Sequence, residues 1–302
     1  MMNQNPIQSI LGSEKLVLAD VGASYFLPDT WNILAGLEST TFVLFDPNGD
    51  NLKYAQTYPL PSFITVPCAL SQYGGLRTLY LSNTDSGSSL YPPTHRTWER
   101  SPDHSYFFPM KLIEMETQTL AKSLSTANIS LIDAIKLDTQ GTELEIILGL
   151  DETRWQSLLL VEMEVGLQNP QSYEGAARLC EVQQELEQRG FTLANVRTSR
   201  TQPSTPAGIS IPNECDVLFV REPHQLAKFQ DCHRFAQKMI ALACAYYLHD
   251  FAKLFISPLW RNTFGFSDNE CNMIEKSIQS IANSQANYIA QGGLSLWHRD
   301  AG

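Results

Sequence analysis

Three features of the chain predict an α/β fold built on a doubly wound, mostly parallel sheet. Short apolar runs recur at strand length, helical patterns lie between them, and the first two runs end in an acid followed by a glycine or proline turn. The first run is Leu16-Val17-Leu18-Ala19-Asp20-Val21-Gly22 and the second is Thr41-Phe42-Val43-Leu44-Phe45-Asp46-Pro47. Their continuous apolarity marks strands covered on both faces. Between them, Ile33, Leu34 and Leu37 give residues 29–37 a helical face. Residues 48–57 read as a second short helix and Phe63-Ile64-Thr65-Val66 as a third strand.

The alternation then stops. Residues 73–109 carry Gly74-Gly75, a strand-like Leu76–Leu81, a Ser/Gly cluster at 86–89 and several prolines, and are expected to form an insertion over the ligand edge of the sheet. A helix over 118–127 brings the chain back to the apolar run from Leu131 to Leu137. Residues 157–164 form the next strand, residues 173–189 a helix stopped by Gly190, and residues 191–196 and 216–220 the last two strands, joined by a Pro/Ser/Thr-rich loop. Beyond Pro223 the pattern becomes helical, over 224–256 and 268–291. The expected organisation is therefore an α/β domain over 1–222 and a C-terminal helical extension over 223–302. The large apolar residues of the first of these helices, including Phe235, Met239, Leu242, Tyr246, Tyr247, Phe251 and Phe255, are expected to pack on the core or on a second copy of the chain as a homo-oligomer.

Composition narrows the function classes. Of 302 residues, 43% are hydrophobic and 18% charged, as in an ordinary globular protein, and the formal net charge of −11 argues against a nucleic-acid partner. No apolar run meets the length and charge criteria of a transmembrane segment, and the N-terminus shows no secretory pattern. Six scattered cysteines without a C-x-x-C pair suggest reduced thiols and a cytoplasmic location.

Candidate chemistry sits at the ends of the strands, where open α/β sheets bind ligands. Asp20-Val21-Gly22-Ala23 lets backbone approach a ligand closely beside a carboxylate. Asp46 stands where an acid accepts hydrogen bonds from ribose hydroxyls, or where it caps the following helix. The residues after Gly22, Ala23-Ser24-Tyr25-Phe26-Leu27, provide no glycine-rich cradle for a pyrophosphate, so an NAD enzyme is a weak alternative. A third group, Lys136, Asp138, Glu143, Glu162 and Glu164, lies near adjoining strand ends; ion pairing and helix-dipole stabilisation are its structural explanations. His95 and His104 on the insertion are candidate general bases by their near-neutral titration.

The run Lys136-Leu137-Asp138-Thr139-Gln140-Gly141-Thr142-Glu143, continuing into an apolar helix that ends at Gly149, resembles the K-I-D-x-x-G-x-E pattern of FkbM-type methyltransferases. The resemblance spans about residues 16–222. It implies a class I methyltransferase (Rossmann-like) fold, with a seven-stranded sheet whose last strand inserts antiparallel, and O-methylation by S-adenosylmethionine of a sugar, glycan or secondary-metabolite hydroxyl. It further implies cofactor contacts from Asp20, Gly22, Ala23, Asp46 and the Ala69-Leu70 backbone. Acceptor contacts would come from Glu143, Ser88 and Ser89, and catalysis from Asp138 with Glu164 and Lys136. A divalent cation such as Mg2+ would fall to Asp138 and Glu164. Tyr25-Phe26 departs from the family's small-residue turn, and implies either a reshaped cofactor pocket or an inactive cofactor-binding or interaction protein on the same fold.

Overall fold

The computed structural model describes residues 5–57, 60–99, 110–199 and 212–291. Its strands are β1 (Leu16–Val21), β2 (Thr40–Phe45), β3 (Phe63–Val66), β4 (Ala69–Leu70), β5 (Gly75–Leu81), β6 (Lys111–Gln118), β7 (Ala134–Leu137), β8 (Leu160–Gly166), β9 (Thr192–Ser199) and β10 (Glu214–Val220). Seven of them form the expected seven-stranded sheet, and its order is β3-β2-β1-β7-β8-β10-β9. All pairings are parallel except those of β10, which runs antiparallel to both β8 and β9. The chain winds outward from β1 to β3 and returns to β7 on the other side of β1. The sheet's topological switch point therefore lies between β1 and β7, where ligands of such sheets bind.

Strand alternation sends side chains to two separate cores. Ala19 and Val21 of β1, Ile135 and Leu137 of β7, and Val161 and Met163 of β8 face the helices Leu120–Thr126, Glu143–Leu148, Glu152–Ser157 and Leu179–Gln188. Leu16 and Leu18 of β1, Ala134 of β7 and Leu160 of β8 face the other way, onto the helix Pro6–Leu11 and the C-terminal helices.

The C-terminal region thus supplies most of one helical layer of the sandwich. Met239, Leu242, Tyr246 and Phe255 are buried in the same cluster as Leu16, Leu18 and Leu218, so the apolar face that called for a partner finds it in the sheet. The single helix expected over 224–256 is three: Pro223–Leu226, Cys232–Ala245 and His249–Leu254. Tyr247 adopts φ +63° and turns the chain sharply between the second and third, which lets both lie flat on the core. The helix Asp268–Ala290 starts with a capping box between Ser267 and Glu270.

The interruption of the αβ alternation is longer than its composition suggests. Lys111–Gln118, unassigned by apolar content, is strand β6 and pairs antiparallel with β5, while β4 pairs with it on the other edge. Its alternation is real: Ile113 and Met115 line a cleft, while Leu112 and Glu114 are exposed. Glu145 on the helix Glu143–Leu148 anchors this hairpin through Arg77 Nη1 at 2.7 Å and the Tyr91 hydroxyl. The Pro/Ser/Thr-rich loop after β9 lies almost wholly outside the described residues, as does His104.

One buried ion pair joins the C-terminal layer to the sheet. Lys238 Nζ donates to Asp133 Oδ1 at 2.8 Å, and Asp133 Oδ2 accepts the Val17 backbone N–H at 2.8 Å. Both side chains are buried, so removing one partner strands the other. Lys238→Met is expected to cost about 3–5 kcal/mol in urea unfolding, and Asp133→Leu combined with Lys238→Met to recover much of that loss. Equal stability of Lys238→Met and wild type would show that the pair has no such role.

Candidate active site

At the switch point the ends of β1 and β7 touch through backbone. Gly22 has φ +83°, and a Cβ there would lie 2.0 Å from the carbonyl oxygen of Asp138. Only glycine allows this approach. The Gly22 and Ala23 N–H groups donate to the Phe45 carbonyl, at 2.9 and 3.0 Å, which holds the turn against the end of β2.

The contact opens onto a cleft of about 350 Å³. Gly22 and Ser24 form its floor, Asp46, Asn48 and Asn51 one side, and Ala69 and Leu70 the back. The hairpin contributes an apolar wall of Leu79, Leu81, Ile113 and Met115, and the turn after it adds Ser88 and Ser89. Asp138, Thr139 and Gln140 close the side nearest β7. Asp46 combines its two expected roles in one place. Its Oδ1 accepts the Asn48 N–H at 2.7 Å and the Asn51 amide at 3.2 Å, while the residue faces the cleft.

Other expected residues lie outside this cleft. Asp20 is buried behind it, and Ala23 packs into the core beneath it. Glu143 does not reach the cleft, because both its oxygens are engaged by the turn it follows. The Gly141 N–H donates to each at 3.0 Å and the Thr139 N–H to Oε1 at 2.7 Å. Lys136 stands one row behind Asp138, and Glu164 lies behind Gln140, 3.0 Å from its Nε2; neither borders the cleft. Tyr25 and Phe26 turn outward, 56% and 62% exposed, and neither borders the cleft. The aromatic pair therefore does not reshape the pocket. His95 is exposed and also away from it.

The charged residues form rows across the sheet, because register partners face the same way. Asp20, Lys136 and Glu162 are partners on β1, β7 and β8, and Glu164, Asp216 and Arg197 form a second row across β8, β10 and β9. Lys136 Nζ donates to Asp138 Oδ2 at 3.2 Å and lies 3.9 Å from Asp20 Oδ1. Burial opposes its charge, but Asp138, Asp20 and Glu162 outweigh burial and hold the ammonium above its ordinary pKa. Burial pushes the Asp20 carboxyl up to about 6 against the pull of Lys136. Glu162, buried and accepting the Tyr246 hydroxyl at 2.7 Å, is pushed up to about 7, and Glu143 likewise to about 7 by burial. The Tyr246 hydroxyl in turn accepts Trp31 Nε1 at 2.8 Å, tying the charged row to both N- and C-terminal segments.

Gln140, which strand patterning did not single out, links the two rows to the cleft. It holds φ +60°, and its Nε2 donates to Asp138 Oδ1 at 3.3 Å and to Glu164 Oε2 at 3.0 Å. Its backbone carbonyl accepts Ser89 Oγ at 2.7 Å and its Oε1 accepts the Tyr173 hydroxyl at 3.2 Å. The amide thus occupies the space between the two carboxylates expected to share a cation. Among the described residues, no group of three or more His, Cys, Asp or Glu is placed to hold a metal ion. Nor is any helix among them long and apolar enough to cross a membrane.

The model of the methyltransferase FkbM domain matches residues 20–193, which contain the cleft, the end of β1, all of β7 and the hairpin. The chain belongs to the FkbM methyltransferase family. Among solved structures, the methyltransferase is similar to the precorrin-6y C5,15-methyltransferase of Geobacter metallireducens GS-15, at 10% identity and TM-score 0.35, covering 72% of this chain and 85% of that one. It is also similar to M. jannaschii TYW2 in complex with AdoMet, at 10% identity and TM-score 0.29, covering 73% and 78%. Both are distant, and the family match alone decides the assignment. No curated protein matches the chain.

The raised carboxyls make this methyltransferase's stability depend on pH in a defined direction. Asp20, Glu143 and Glu162 titrate near 6 to 7 when folded, above the range near 4 of the unfolded chain, so the folded state binds more protons between those values. Their contribution is full below about pH 4 and is lost as pH rises through about 6 to 7. Denaturant unfolding at pH 5 and pH 8 is expected to show the protein more stable at pH 5 by a few kcal/mol, on the order of 1.4 kcal/mol for each tenfold gain in proton affinity on folding. Higher stability at pH 8 would contradict the burial of these groups as acids.

Proposed function

We propose that this methyltransferase binds S-adenosylmethionine in the cleft and methylates a hydroxyl of a sugar, glycan or secondary metabolite. We place it in the cytoplasm without a nucleic-acid partner. The observation that carries this reading is the position of two carboxylates on opposite sides of one cleft at the switch point. Asp46 lies at the end of β2, where it would take the ribose, and Asp138 at the end of β7, where it would face the transferred group. The cleft falls within the size range of small-molecule sites, and its apolar wall suits a purine.

When bound, the cofactor supplies an electrophilic methyl group whose departure leaves a neutral thioether, so no acid is needed for the leaving group. The protein's task is to align the acceptor oxygen and to take its proton. Asp138 is placed for both. Its carbonyl is fixed against Gly22, and its carboxylate is oriented by Lys136 and Gln140. Asp138 would take the acceptor's hydroxyl proton on a carboxylate oxygen. Lys136 acts through Asp138, and Glu164 through Gln140, rather than on the methyl group.

Two measurements test the reading. Calorimetric titration of S-adenosylhomocysteine should show Asp46→Ala weakened by about 2–4 kcal/mol, the loss of two hydrogen bonds to a charged acceptor; unchanged affinity in the folded variant would remove Asp46 from the ribose site. Asp138→Asn keeps the side chain's size but not its charge. With S-adenosylhomocysteine release followed over a panel of monosaccharides and polyols, it should lower turnover by about 10²–10⁴ while cofactor affinity stays constant. Wild-type turnover in that variant would make Asp138 structural.

A further inference from the structure

The two carboxylates expected to share a divalent cation have a side-chain nitrogen between them. Gln140 Nε2 lies 3.3 Å from Asp138 Oδ1 and 3.0 Å from Glu164 Oε2, so it stands where a bridging ion would sit. Those are hydrogen-bond lengths, about 1 Å longer than the ~2.0–2.1 Å of a magnesium–oxygen bond. A bridging ion would have to displace the amide and draw both oxygens inward.

The fold resists that displacement. An ionised carboxylate only accepts, so the amide turns its nitrogen toward the pair and its oxygen away. The Tyr173 hydroxyl, shared with the Gly87 carbonyl at 2.9 Å, meets that oxygen at 3.2 Å. The Gln140 carbonyl accepts Ser89 Oγ at 2.7 Å, which ties down a backbone at φ +60°. The other oxygen of Asp138 is taken as well, because Lys136 Nζ donates to Oδ2 at 3.2 Å. Lys136 thus already supplies the positive charge beside Asp138 and would repel a second cation. The residues present do not fit an ion held by Asp138 and Glu164.

We propose that Gln140 is a positioning residue that takes a cation's place. Its amide and the Lys136 ammonium each hold one oxygen of Asp138, so the carboxylate keeps one orientation toward the acceptor, with no divalent ion between Asp138 and Glu164. Glutamine suits the task because its nitrogen carries two N–H donors, one for each carboxylate, and no charge of its own. This rests on the reading of Asp138 as the group that faces the acceptor hydroxyl.

The test uses the full chain with manganese(II) as the probe, its binding followed by electron paramagnetic resonance. Wild type and Asp138→Asn are expected to bind it equally, because the point between the carboxylates is already filled. Gln140→Glu keeps the side chain's length and brings a third carboxylate to that point, so it should bind manganese roughly tenfold or more tighter than wild type. Gln140→Ala, which vacates the point, is the second variant and should also bind more tightly than wild type. S-adenosylhomocysteine affinity within about twofold of wild type shows that each variant is folded. In turnover of the acceptor panel, wild type should be indifferent to EDTA. Gln140→Ala in EDTA should lose about ten- to a hundredfold in kcat with little change in acceptor KM, the cost of a misaligned base. Manganese bound by wild type and lost in Asp138→Asn overturns the proposal, and so does turnover that EDTA abolishes. Variants at position 140 that bind manganese no better than wild type, or an unchanged kcat in Gln140→Ala, overturn it too. If no acceptor is turned over, the reading of the cleft fails, and the manganese comparison alone still decides what fills the point between the carboxylates.

Discussion

The carbonyl of Asp138 occupies the space where any residue but glycine at position 22 would carry its Cβ. This single backbone contact sets the spacing of everything around it. On one side it fixes the turn after β1, and through the Gly22 and Ala23 N–H bonds to Phe45 it brings the end of β2, with Asp46, to the cleft. On the other side it fixes the first residue beyond β7, so that the Asp138 carboxylate has little freedom except rotation about its own side chain. The Asp46 and Asp138 sides of the cleft are therefore held by one rigid element. Such pre-organisation is what a displacement reaction requires, since its catalysis is mainly alignment.

The same face of the sheet changes character along the strands. Near their N-terminal ends, Leu16, Leu18, Ala134 and Leu160 are apolar and lie under the C-terminal helices. Two residues further on, the row becomes Asp20, Lys136 and Glu162, and then Asp138, Glu164 and Asp216. One ammonium among several buried carboxylates is a poor source of stability, because the desolvation of each charge offsets much of the Coulomb attraction. The arrangement is better understood as orientation: Lys136 faces Asp138 and Asp20 at once, and turning away would give up both. Tyr246 and Trp31 complete the row from above. Tyr246 is the point at which the described C-terminal helices reach this charged row.

The sheet was legible in the sequence largely because its central strands, β1, β2, β7, β8 and β10, are buried on both faces. Continuous apolar runs with acids or glycines at their ends marked β1, β2, β3, β7, β8 and β10 close to where they lie. The hairpin was only half legible. β6, Lys-Leu-Ile-Glu-Met-Glu-Thr-Gln, covers the cleft with one face and meets water with the other, so its apolar content is diluted; only the alternation of Ile113, Met115 and Thr117 betrays it. The break at Tyr247 was not legible, because a left-handed residue that is not glycine is chosen by packing rather than by local preference.

Within the site, residue type and strand-end position identified Asp46 and Asp138 on the cleft, but not which neighbouring acids face it. Glu143 and Glu164 stand near Asp138 in sequence or register, yet one is consumed by the turn and the other lies behind Gln140. Gln140 carried no signal of its own, being an uncharged residue in a polar turn. Its importance comes from a backbone conformation that costs free energy for a side-chain-bearing residue and is offset by contacts to Ser89, Tyr173, Asp138 and Glu164 at once. Those contacts come from four separate segments of the chain, so the residue's role exists only after the fold has assembled them. A carboxylate advertises its chemistry in the sequence; a spacer between two carboxylates acquires its chemistry from where the fold puts it.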